Sequence, residues 1–154
     1  MNMLKRIRNK QIIPEKLQDG QSLVEMAILM IVLLLIMGGV LDLGRMYFTY
    51  LALQNAAGEG AAYGAIYPEW VDNNDNSDPN NIEYRVRNES SGSLIDWTNT
   101  NVNVEVHSLA GGSPLTVSVE YEYTVITPMI QVITGDTVTL KARDTARIFL
   151  DLEE

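Results

Sequence analysis

From Met26 to Leu41 the chain runs without a charged side chain, and the polar residues resume only at Asp42. With Leu23, Val24 and the stretch to Leu43 the apolar segment reaches about 20 residues, the length a helix needs to cross roughly 30 Å of hydrocarbon. Beyond Asp42 the pattern changes but the helix does not stop: Leu43, Met46, Tyr47, Tyr50, Leu51 and Gln54 follow at three- and four-residue steps, and no breaker appears before Pro68. Ser22 with Glu25 three residues on has the spacing of a capping box. The pattern therefore predicts one helix from Ser22 to about Tyr67, roughly 65–70 Å at 1.5 Å per residue. Gly58, Gly60 and Gly64 weaken its C-terminal end.

The remainder reads differently. Trp70 to Asn81 is an Asn/Asp-rich connection, and Asp78-Pro79 has the form of an N-cap and first residue of a short second helix that turns Ile82, Tyr84 and Val86 inward and ends near Ser91-Gly92. After it the period becomes two. Val102, Val104 and Val106 oppose Asn101, Asn103 and Glu105; Val117, Val119, Tyr121, Tyr123 and Val125 oppose Thr116, Ser118, Glu120, Glu122 and Thr124. Such alternation gives a sheet one wet and one buried face. Ala110-Gly111-Gly112-Ser113-Pro114 supplies a hairpin connection, Met129 to Ile133 is a brief apolar patch, and a last strand is predicted from about Thr137 to Leu150. The predicted fold class is α+β: a long N-terminal transmembrane helix packed at its outer half on a small antiparallel sheet of about three strands, plus one short second helix.

Charge orients this layout. The chain carries about +3 up to Gly20 and about −12 after it. Positive residues next to a span stay cytoplasmic, so the N-terminus is expected inside and the acidic remainder outside a cell membrane crossed once. An acidic exterior offers no basic stripe for phosphates, which argues against nucleic acid. Cysteine is absent, so neither disulfides nor thiolate metal sites contribute.

Candidate chemistry is sparse. His107 is the only histidine and falls at a predicted strand, so no catalytic site and no cofactor are proposed from the residues, and an enzyme is not expected. Asp72, Asn74, Asn76, Asp78, Asn80 and Glu83 occupy the ligand places of a calcium loop, but Ser77 stands where that loop needs glycine, and an Asn/Asp turn explains the same letters. Asp42 and Arg45, three apart on a helix, are expected to pair at the outer membrane boundary. Ala57, Gly60, Ala61, Gly64 and Ala65 form rows of small residues that permit close backbone approach, either to the sheet of the same chain or to a neighbouring helix.

Three stretches together resemble the TadE-like pseudopilins, minor subunits of tight-adherence (Flp, type IVc) pilus systems. They are Gly20-Gln21-Ser22-Leu23-Val24-Glu25-Met26-Ala27 leading into the apolar helix, Leu41-Asp42-Leu43-Gly44-Arg45 with Leu53 to Ala61 after it, and the tail from Val117 through Pro128-Met129-Ile130 to Thr137-Ala142. The resemblance implies cleavage between Gly20 and Gln21 by a prepilin peptidase, extraction from the membrane by the pilus assembly platform, and contact with other pilin or pseudopilin subunits. The organisation expected is a basic leader over 1–20, the transmembrane half of the helix over 21–43 and an extracytoplasmic domain over 44–154. Cleavage would leave a cationic amine on Gln21 one turn from Glu25, whose carboxylate could take the amine of a neighbouring subunit and fix register. Gln21 and Met26 stand where major pilins of these systems usually carry aromatic residues, which favours a minor subunit. The alternative is an unprocessed, permanently anchored surface or binding protein, and a secreted enzyme is a more distant one.

Overall fold

A computed structural model describes residues 16–72, 77–89 and 95–149. The elements follow in the order α1 (Lys16–Ile66), α2 (Ile82–Glu89), β1 (Thr100–Val106), β2 (Pro114–Thr124), α3 (Pro128–Thr134) and β3 (Thr137–Arg147), with single 3-10 turns at Pro68–Asp72 and Trp97–Asn99. The chain divides into two compact units, the first ending at Met37 and the second beginning at Gly38. The α+β reading is therefore correct in class and in strand number.

The first unit is helix. It begins by Lys16, not at Ser22, so Ser22 and Glu25 lie inside α1. This corrects the capping-box reading: with carbonyls one turn back available, the amides there need no side-chain cap. Glu25 instead accepts a hydrogen bond from the Gln21 side-chain amide at 3.1 Å, an i,i+4 contact. The apolar side chains from Leu23 to Met37 are exposed all round the helix, and α1 is long and apolar enough to cross a membrane. The basic leader up to residue 15 lies outside the described residues.

In the second unit the rest of α1 covers an antiparallel sheet of order β1-β2-β3. Val102 faces Val119, and Val119 faces Ala142, so one register carries the apolar positions of all three strands to the same face. Leu53, Ala56, Ala57 and Ala61 of α1 meet Val117, Val119, Ala142 and Leu115 there, and Ile82 and Val86 of α2 close the core. Small residues on α1 are what let these layers approach. A methyl on Gly60 would lie 2.4 Å from Val86 Cγ2, and one on Gly64 2.9 Å from both Ile82 Cδ1 and Leu115 Cδ1.

Two short elements depart from the sequence reading. Helix α2 starts later than Asp78-Pro79 implies, because Asn81 is the residue that caps it, its Oδ1 accepting the amides of Glu83 at 2.6 Å and Tyr84 at 3.2 Å. Asp78 makes the preceding turn, its Oδ1 accepting the Asn80 amide at 2.9 Å. The apolar patch after Pro128 is itself a helix, α3, so two short helices accompany α1 where one was expected. Pro128 opens α3 at a position that needs no N–H, and Gly135 closes it at φ 85°, its amide bonded to Gln131 O at 2.8 Å.

The contrast between two glycines of one helix is testable. Gly60→Ala should destabilise the domain by about 1–3 kcal/mol through overpacking. Gly44, whose added methyl would meet nothing within 4 Å, should give about 1 kcal/mol of added stability as Gly44→Ala from helix propensity alone. Denaturant unfolding of the full chain in micelles, followed by near-UV circular dichroism, measures both.

Candidate functional site at the end of the apolar run

The first charge after the apolar run, Asp42, is only 3% exposed. A carboxylate so placed needs donors, since burial without them is costly. They come from a connection more than eighty residues away in sequence: Asp42 Oδ2 accepts the Thr127 amide at 2.6 Å and the Ile126 amide at 3.2 Å. These amides are free because of their own sequence. The residue before a proline is held extended, and Thr127 sits at φ −74°, ψ 117° as the N-cap of α3, beyond the last ladder pairing of β2 at Thr124. The connection is tied twice more, through the Gln131 side-chain amide to Val125 O at 2.7 Å and the Val125 amide to Asp136 O at 3.0 Å.

Arg45 makes no contact ion pair with Asp42 among the described residues, although its charge still acts on the Asp42 carboxylate. Two backbone donors already take the Asp42 carboxylate, and the Arg45 guanidinium lies over the Tyr123 ring, 5.8 Å from its centroid. Tyr123 is buried and its phenol oxygen has no hydrogen-bond partner. Burial pushes that phenol above its ordinary value, against the opposing effect of Arg45. One turn before Asp42, Gly38 and Gly39 face α3: methyl groups there would come within 3.4 Å of Thr127 Oγ1 and 3.6 Å of Ile130 Cδ1.

The other candidate residues fall in separate places. Glu25 is exposed on the first unit with Gln21 as its partner. Gly20 is also exposed, and a methyl there would touch nothing within 4 Å among the described residues. Ala57, Gly60, Ala61, Gly64 and Ala65 are all buried within the domain, where the sheet and α2 fill the groove they make. In the Asn/Asp loop, Asn74, Asn76 and the side chain of Asp72 lie outside the described residues. Glu83, the twelfth place of the calcium pattern, is held by Arg87, whose Nε donates to it at 2.8 Å. Among the described residues no cluster of His, Cys, Asp and Glu is arranged to hold a metal ion. His107 is exposed just past the end of β1.

Sequence reasoning found Asp42 but missed its partners. The Thr127-Pro128 pair has the form of an N-cap and first helical residue, a signal of α3 that went unread. Nothing local linked the Ile126 and Thr127 amides to α1.

Two substitutions test the clamp. Asp42→Ala removes the acceptor of both amides and should lower the unfolding midpoint of the domain more than Asp42→Asn, which keeps one carbonyl oxygen. Tyr123→Phe removes a buried hydroxyl that makes no bond, so the variant should range from neutral to about 1 kcal/mol more stable. A clear loss on Tyr123→Phe would contradict the geometry.

Comparison with known proteins bears on the helix. No curated protein and no solved structure matches the chain. Residues 20–62, which include Gly20, Glu25, Asp42, Arg45 and Gly60, match the family model described as TadE-like protein, so the helix of this chain carries the TadE-like signature.

Proposed function

We propose that the chain is a minor pilin or pseudopilin subunit that assists the assembly or initiation of a type IVc, tight-adherence pilus, and that a prepilin peptidase cleaves it between Gly20 and Gln21. The family match, which opens at Gly20 and continues through the apolar helix past Asp42, is the observation that carries this reading. Its role is assembly, not catalysis. An apolar helix exposed all round needs a cover. Lipid supplies it while the subunit waits in the membrane, and the helices of other pilin or pseudopilin subunits supply it after the assembly platform has extracted the chain.

Glu25 gives the packing its register. Among the described residues its carboxylate takes the neutral Gln21 amide. Cleavage places a positive amine on that same Gln21, and in a surrounding of low dielectric the amine of an adjacent subunit is a strong partner for Glu25. Such a pair specifies position more than it adds net stability. Gly20 fits the same reading, since no described residue packs against it and a small residue suits a peptidase.

Intact-mass analysis of the membrane fraction should find a chain beginning at Gln21, and Gly20→Val should leave the leader attached. A chain that still begins at Met1 in cells making the peptidase would instead identify a permanently anchored surface protein. Glu25→Gln should be cleaved normally yet deplete the subunit from sheared fibres, and undiminished incorporation would remove the register role.

A further inference from the structure

Helix α3 and the connection before it present an exposed apolar surface. Val132 is 87% exposed, Ile133 78%, Ile126 60% and Met129 47%, and from Thr124 to Gly135 there is no charged residue. Neither strand packing nor the core explains them: Val132 and Ile133 point away from everything in the domain to which they belong. Their position along α1 does. Ile130 and Thr127 lie against Gly39 and Gly38, which belong to the charge-free run that ends at Leu41. With Asp42 and Arg45 marking where that run gives way to charge, a contact at Gly38–Gly39 sits roughly 5 Å inside the boundary at 1.5 Å per residue. That is the depth at which amphipathic helices lie, about 5–10 Å into the headgroup and acyl boundary.

We propose that α3 is a membrane foot: a short interfacial helix whose Ile126, Met129, Val132 and Ile133 side chains enter the outer leaflet beside the span. The occupant of this surface is lipid because α3 lies against Gly38 and Gly39 of the charge-free run, and because an uncharged stretch of this length on an otherwise acidic domain fits a bilayer boundary and not water. The Asp42 clamp gives the foot its height. By holding the Ile126 and Thr127 amides it fixes the start of α3 against α1 at the residue where charge resumes. Burying these four side chains in lipid would hold the domain upright on the membrane until extraction, and they would come free of lipid when the subunit leaves it. The inference rests on the reading of α1 as a membrane span.

The absence of native cysteine makes the test direct. Single-cysteine variants Leu33→Cys on the apolar run, Val132→Cys on α3 and His107→Cys at the far end of the sheet are labelled with an environment-sensitive fluorophore. Each full-length protein is then reconstituted in phosphatidylcholine vesicles with and without brominated lipid. Emission from position 132 should be blue-shifted, lose intensity most with lipid brominated near the headgroup, and resist aqueous iodide, whereas position 107 should show the reverse. Position 33 should be quenched most by lipid brominated deep in the chains. Iodide access at 132 equal to that at 107, with 33 still quenched by lipid, overturns the foot alone. No lipid quenching at 33 overturns the span and the foot together. Protection at 132 that ignores brominated lipid but grows with protein density would assign the surface to a second copy and also overturn the proposal.

Discussion

One buried carboxylate ties the long helix to a connection more than eighty residues further along the chain. From Met26 to Leu41 α1 carries no charged side chain; from Leu53 onward it is half of a protein core. Asp42 stands at the change, almost wholly buried, and it is tolerated there because the Ile126 and Thr127 amides, left without ladder partners by the proline that follows them, meet it at hydrogen-bond distance. Two local demands, an acid needing donors and two amides needing an acceptor, are satisfied by one another. The consequence is a fixed height for the β2–α3 connection along the helix, and Arg45 over Tyr123 lies one turn further on.

The remaining packing follows from the other end of α1. Gly60 and Gly64 leave no room for a side chain, so α2 and β2 press directly on the helix backbone. Glycine costs helix propensity, and here the core contacts of Val86, Ile82 and Leu115 offset it. The helix is thus exposed and apolar from Met26 to Met37 and small-sided where the sheet and α2 cover it from Ala57 to Ala65.

Much of this was legible in the sequence because it rests on period. The alternation of Val117, Val119, Tyr121 and Tyr123 gave both the strand and its buried face, and the three- and four-residue spacing past Asp42 gave the continuity of α1. The motif around Gly20 and Glu25 and the stretch from Asp42 to Ala61 carried the family resemblance, and these fall in the segment that matches the TadE-like model. What period cannot show is a partner distant in the chain. Spacing drew attention to Arg45, the neighbour of Asp42 on the helix, whereas the hydrogen bonds to Asp42 come from two backbone amides more than eighty residues away. Asn81 displaced Asp78 as the cap of α2 for a similar reason, since both residues favour that place and only the turn before them decides which is in position. The apolar patch at Met129 was too short for periodicity to separate helix from loop, although Thr127, Pro128 and Gly135 mark both of its ends.

The clamp is most directly read at the amides themselves. In residue-resolved hydrogen exchange of the full chain in lipid nanodiscs, the Ile126 and Thr127 amides should be protected to the level of Val117 and Val119 in the central strand, because all four are bonded within the same cooperative unit. Exchange of Ile126 and Thr127 at the rate of an open loop, with Val117 and Val119 still protected, would show that Asp42 does not hold them and would contradict its role in tying the β2–α3 connection to α1.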